Sequence, residues 1–204
     1  MKQWYFAVLG SLLILGSSAI SGIYISGKED KSVSVSSKIM DLRGNMSRAE
    51  TANYYALISS DLAEIQRNIV KFSMFQDPRV QDERDKLHAT SIYPVILNLM
   101  QASGMSLDGE STAGIVALLE EVENGSKDAY KELRQIVPNL IKQSGQYRSD
   151  LVIKIAALEN EKNLISNSIS TAKQVAIFMQ LAGLVLLLVK ESPVERWSRY
   201  ITKR

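Results

Sequence analysis

Arg48, Tyr54 and Tyr55 are the side chains best suited to hold a ligand. A guanidinium presents five donors in a planar fork that fits a carboxylate, and each phenol adds a ring face and a hydroxyl. Arg48 and Thr51 fall at helical spacing ahead of Tyr55. On a helix they extend an apolar seam into a polar layer that would take a small anion. The alternative is that the long side chains reach outward or form structural pairs, because a buried charge is costly unless compensated. Lys162 raises the same question by interrupting another apolar seam. If Lys28 and Lys173 lie at one height in an antiparallel pair, Asp150 comes within reach of Arg48, and Asp41 within reach of Lys162.

Other groups with chemical capacity are weaker. His88 follows the charged run Asp82-Glu83-Arg84-Asp85-Lys86. It reads as a solvated surface histidine, with a pH switch as the sharper alternative. Glu120, Glu121, Glu123 and Asp128 form an acidic patch without the Asp/Asn-Gly spacing of a calcium loop, so a solvated helix face is expected. Asn45-Met46-Ser47 and Asn124-Gly125-Ser126 match the glycosylation pattern, although Asn45 falls mid-helix. The 204 residues include no cysteine and one histidine, which excludes disulfides, thiolate chemistry, iron–sulfur clusters and His-rich metal sites. No phosphate loop, dinucleotide fingerprint or serine-nucleophile motif is present. The expectation is a non-enzyme with no cofactor and no metal. The balance of 24 basic and 22 acidic residues argues against a nucleic-acid partner.

The elements that must position these groups begin with two apolar segments. Residues 4–27 carry no charge and include Trp4-Tyr5-Phe6-Ala7-Val8-Leu9 and Leu12-Leu13-Ile14-Leu15; residues 174–189 end in Leu184-Val185-Leu186-Leu187-Leu188-Val189. A membrane span takes ~20 apolar residues, and Lys173 can snorkel beside the shorter second segment. The tail 190–204 carries five basic residues against two acidic ones, whereas the middle, 28–173, holds 18 basic and 20 acidic. The positive-inside rule then puts residues 1–3 and the tail in the cytoplasm and the middle outside an inner membrane, a two-pass topology. Tyr5, Trp4, Tyr24, Trp197 and Tyr200 read as interfacial anchors. The alternative for the first segment is a signal peptide cleaved near Ser17-Ser18-Ala19. Apolar residues continuing through Ile20, Ile23 and Ile25 oppose it.

The middle is helical throughout by its periodicity. The first helix is predicted from about Ser34 to Phe75, with a break allowed near Gly27 and a stop at Asp77-Pro78. Its seam reads Ile39, Leu42, Met46, Ala49, then Tyr55, Ile58, Leu62, Ile65, Ile69, Phe72. The second runs from about Val80 to Ala102 with a kink at Pro94. The third starts at Ser111 or Thr112, is interrupted at Asn124-Gly125-Ser126, bends at Pro138 and closes at Gly145. The fourth carries Tyr147, Leu151, Ile155, Leu158, Lys162, Ile165, Ile169, Ala172 and Ala176, and passes unbroken into the second apolar segment. From Gln146 to Val189 this is one rod of roughly 66 Å. Four amphipathic stripes bury one another in an all-α, antiparallel four-helix bundle whose first and last helices are contiguous with transmembrane helices.

Asp41-Leu42-Arg43 and Ser47-Arg48 early in the first helix, and Glu191-Ser192-Pro193-Val194-Glu195-Arg196 after the second apolar segment, complete a layout that resembles the four-helix-bundle sensor module of bacterial chemoreceptors and sensor kinases. The six-residue segment looks like the start of a HAMP linker. The chain departs from that family in carrying no large cytoplasmic output part after it. The resemblance implies a sensor-like receptor or signal adaptor that hands its signal to another protein. Its partners would be the lipid bilayer, a second copy or another membrane protein, and a small anionic ligand. The competing expectation is a non-enzymatic structural or accessory subunit of a larger membrane or envelope complex. A self-associating scaffold is a third, because three–four seams also serve coiled coils.

Overall fold

A computed structural model describes the backbone of residues 4–73 and 78–191, and the side chains of 4–69 and 82–189. The ends expected at Phe75 and Asp77, the Phe72 and Val80 side chains, the anchors Trp197 and Tyr200, and the linker-like 192–196 lie outside them. All described elements are helical: α1 (Trp4–Ala19), a π-helical turn (Ile20–Ile25), α2 (Ser26–Ser73), α3 (Pro78–Ala102), α4 (Gly109–Glu123) and α5 (Lys127–Glu191).

The helices are longer than the sequence breakers suggest. No break occurs near Gly27, because α1, the π turn and α2 follow one another directly. Gly145 does not end a helix but lies inside α5, together with Pro138. An interior glycine costs about 1 kcal/mol relative to alanine. The burial of Leu140, Ser144 and Leu151 on both sides of it more than offsets that. Pro94 and Pro138 sit inside their helices on exposed positions, where a carbonyl left without its helical N–H partner is open to solvent. The third helix starts earlier than Ser111: Asp108 is its N-cap, its carboxylate accepting from the Ser111 backbone N–H at 2.8 Å. Three donors acting on that carboxylate, from Ser111 and Ser106, hold its pKa at about 2.

The chain divides into two compact units. One comprises Met1–Ile39 and Ala157–Arg204. Its apolar segments lie in helical runs long and apolar enough to cross a membrane, Trp4–Ile69 and Lys127–Val189. Only 11% of each apolar window is buried within the protein, whereas the core helix of a water-soluble domain would be mostly enclosed. Where α1 and α5 touch, the residues are small: Gly10 and Gly183 meet backbone to backbone, and the buried Ser17 hydroxyl donates to the Ala176 carbonyl at 2.9 Å. Above them the Tyr24 and Ser168 hydroxyls share a 2.9 Å bond, and Lys173 and Lys31 pair with Glu29 and Glu161 at 2.9 and 2.8 Å.

The other unit, Met40–Ala156, holds the main apolar cluster. Ile92, Val95, Ile96, Leu99 and Met100 of α3 pack with Ile115 and Val122 of α4 and with Ala129, Leu133 and Leu140 of α5; Ile96 and Leu133 are fully enclosed. The first half of the α2 seam follows expectation, with Ile39 and Ala49 buried and Leu42 and Met46 half-buried; the second half is corrected. Beyond Ala49 the buried residues of α2, among those described, are Ala52, Ala56 and Ala63, while Tyr55, Ile58, Leu62, Ile65 and Ile69 are exposed. Small side chains let helix axes approach closely, and here the larger residues of α3 and α5 fill the interior opposite the alanines. The α5 seam follows expectation, with Leu151, Ile155, Ile165 and Ala176 buried and Tyr147, Leu158, Ile169 and Ala172 half-buried. Lys162 is the exception and is exposed.

Candidate functional site

The expected ligand residues stand on the outer surface of α2. Tyr54 and Tyr55 are 63% and 54% exposed, and their rings are tilted at 6.2 Å between centroids. Arg48 is exposed and bonds within its own helix, donating from Nη2 to Asn45 Oδ1 at 3.0 Å and from Nε to the Gly44 carbonyl at 3.4 Å. The anticipated ion pairs are replaced by others. Glu161, next to Lys162, binds Lys31, while Glu50 binds Arg148 at 3.4 Å on the stretch where Asp150 was expected to reach Arg48. Both partners of each pair are largely exposed, so these contacts contribute little to stability.

A different cluster is drawn together by the fold. A cavity of about 300 Å³ is lined by Ser60, Glu64 and Arg67 from α2, by His88, Ile92 and Val95 from α3, and by Arg134, Val137 and Pro138 from α5. Its position follows from the alanine face of α2. Ala63, buried at the cavity wall, has no bulk to fill the space that a leucine would occupy. Ile92, Val95 and Val137 make one side apolar, and Arg67 and Arg134 supply two cations from facing helices. Among the described residues neither guanidinium is in an ion pair with a carboxylate; Arg134 lies 5.9 Å from the centre of the Tyr130 ring instead.

His88 sits at the edge of this space, and the structure corrects the expectation of a solvated surface residue. Its ring is half-buried, 2.9 Å from the Tyr130 hydroxyl through Nδ1 and edge-on to the Tyr130 ring. Burial first, then the charges of Arg67 and Arg134, push its pKa down to about 4, with Asp85 opposing and Arg84 adding to the fall. The imidazole is therefore neutral near pH 7. Burial also raises the Tyr130 pKa, with Asp85 contributing. The phenol keeps its proton.

Sequence reasoning missed Arg67 and Arg134 because nothing local distinguishes them from other surface cations. The available signal was the spacing Ala49, Ala52, Ala56, Ala63, which marks a helix face at intervals of three, four and seven. Taking it as the buried face would have turned Arg67, four residues on from Ala63, toward the interior. The acidic residues Glu120, Glu121, Glu123 and Asp128 are all exposed, and no metal-sized grouping of three carboxylate or imidazole side chains occurs among the described residues. No family model, curated protein or solved structure matches the chain, so its reading rests on this geometry.

Proposed function

We propose that the chain is a membrane-anchored, sensor-like receptor or signal adaptor. It crosses the inner membrane twice, with both termini cytoplasmic and the region between the spans outside. That region forms an antiparallel four-helix bundle whose first and last helices continue into the spans. Contacts in which rising numbers on one helix meet falling numbers on the other support this packing: Gly10 with Gly183, Ser17 with Ala176, Tyr24 with Ser168, Lys31 with Glu161. One observation carries the reading. Helix α5 is uninterrupted from Lys127 to Glu191, so the helix that lines the cavity through Arg134 and Val137 also holds the apolar 174–189 segment. A ligand that binds one position of this rod better than another selects that position, and a stiff helix carries the displacement along its axis.

The test uses the absence of native cysteine, since an introduced pair reports alone. Ser17→Cys with Ala176→Cys, in the full chain in membrane vesicles, should form its disulfide at a rate that changes when a bound ligand is present. An unchanged rate with a ligand known to be bound would sink the relay. Single cysteines at Thr112 and Thr202 should label from outside and inside respectively; labelling from the same side would overturn the topology.

The exposed stripe Tyr55, Ile58, Leu62, Ile65 and Ile69 favours a second reading, a structural or accessory subunit docked on a second copy or another membrane protein. Replacing Ile58 and Ile65 with serine should then release the associated species on purification in mild detergent. Unaltered association would remove this reading.

A further inference from the structure

The receptor reading leaves open what is received and where; the cavity beside His88 answers both, and the answer rests on that reading. We propose that the space bounded by Arg67, His88 and Arg134 is a binding site for a small organic carboxylate with a compact apolar body. Three observations converge on it. Two guanidiniums from α2 and α5 border the same cavity, and among the described residues neither is neutralised by a carboxylate in an ion pair. Such a pair of forks is suited to a planar oxyanion through charge-assisted bonds. The wall formed by Ile92, Val95 and Val137 is apolar, which suits a hydrocarbon body and disfavours a fully hydrated inorganic anion.

The third observation is the His88–Tyr130 pair. The Tyr130 hydroxyl and His88 Nδ1 lie 2.9 Å apart. In the tautomer in which the phenol donates, the imidazole proton is on Nε2, and the proposal assigns that N–H as the donor to the ligand's carboxylate. The charged groups around the ring are Arg67 and Glu64 on α2, Arg84 and Asp85 on α3, and Arg134 on α5. Three cations face two carboxylates there, so one added anion brings the group to balance. Binding an anion beside the imidazole favours its charged form, and the site therefore reports its own occupancy as a rise in the His88 pKa from about 4.

The chain's single histidine makes this measurable without ambiguity. Full-length protein labelled with 15N-histidine in detergent micelles is titrated with benzoate and isovalerate, with benzamide and isovaleramide as neutral counterparts and with inorganic phosphate. The expected result is a saturable shift of the Nε2 signal with at least one carboxylate, and none with the amides. Arg67→Gln and Arg134→Gln should each weaken binding at least about tenfold, the loss expected for one charge-assisted contact. An unchanged Nδ1 signal in the free variants shows that the pair with Tyr130, and so the local fold, is intact. The proposal is overturned if no carboxylate gives a saturable shift, if the amides bind as well as the acids, if phosphate binds better than either acid, or if the arginine variants with an intact Nδ1 signal bind as the parent does. Binding here without any change in the Ser17–Ala176 cross-link would overturn the relay and leave the site standing; the two failures are distinct.

Discussion

A methyl group added to Gly10 would lie 2.7 Å from the carbonyl oxygen of Gly183, and one added to Gly183 would lie at the same distance from the carbonyl oxygen of Gly10. The contact is therefore reciprocal and made by backbone on both sides, with no flexible side chain able to give way. Gly16 also faces α5, but there the crowding atom is the mobile methyl of Met179.

The first prediction follows from that difference. Gly10→Ala and Gly183→Ala should each weaken the α1–α5 contact by about 1–2 kcal/mol, the scale of interhelical contacts in lipid. Gly16→Ala should have a smaller effect. Fluorescence energy transfer between labels near the two helices, or thermal unfolding in detergent, checks the order; equal effects at the three glycines would contradict the reciprocal contact.

The face that α2 buries gives the second. Ala52→Leu and Ala56→Leu, both buried and away from the cavity, insert bulk into a filled interior and should cost about 1–3 kcal/mol. Ile58→Ala and Ile65→Ala, on the exposed stripe, should change the unfolding free energy of the isolated chain by no more than about 0.5 kcal/mol. Denaturant unfolding of the four variants would show the reverse order if the large residues were the buried ones.

The pH dependence gives the third. His88 has a folded pKa of about 4, below its unfolded value of 6.5, so the unfolded chain binds more protons between these values. The neutral ring's contribution is fully present above pH 6.5 and is lost as the pH falls toward 4. Linkage sets an upper limit of about 3 kcal/mol, reduced to roughly 1–2 by solvent screening of a half-exposed ring. His88→Gln should flatten the stability profile in this window. Asp108, whose pKa is depressed from 3.8 to about 2, adds a separate loss in the same direction at lower pH, which Asp108→Asn should remove. A His88→Gln profile that keeps the parent's slope between pH 4 and 6.5 would refute the assignment.

A fourth concerns the turn after α3. Gly104 has φ of +76°, and an added methyl would meet the Tyr147 ring at 2.6 Å. Gly104→Ala therefore incurs both a left-handed backbone cost and a clash, on the order of 2–3 kcal/mol together. Gly125 has φ of +91° with open space around it, so Gly125→Ala should incur only the backbone part. Thermal midpoints of the two variants test the difference.

Much of the architecture is written locally. The uncharged runs at 4–27 and 174–189, the Asn124-Gly125-Ser126 interruption and the three–four spacing of Leu151, Ile155, Ile165, Ala172 and Ala176 each act over a few residues, and the helices follow them. Gly145 misled because helix-breaking tendency is a small local free energy, which the burial of neighbouring faces outweighs.

Which face α2 turns inward was not decided locally. Two helical stripes compete on that helix, one of alanines and one of tyrosine, isoleucine and leucine, and hydrophobicity by itself favours the larger. The choice depends on the volume already supplied by Ile92, Ile96, Leu99 and Leu133, residues far away in the chain, and a filled interior accepts only the small stripe. The same rotation placed Arg48, Tyr54 and Tyr55 outside and brought Arg67 beside His88 and Arg134. The sequence by itself determined that the chain is helical, with two apolar segments and the order of its elements, because propensity and periodicity are properties of neighbouring residues. The tertiary structure decided the buried stripe and the cavity, because packing compares volumes among helices and no single segment carries that information.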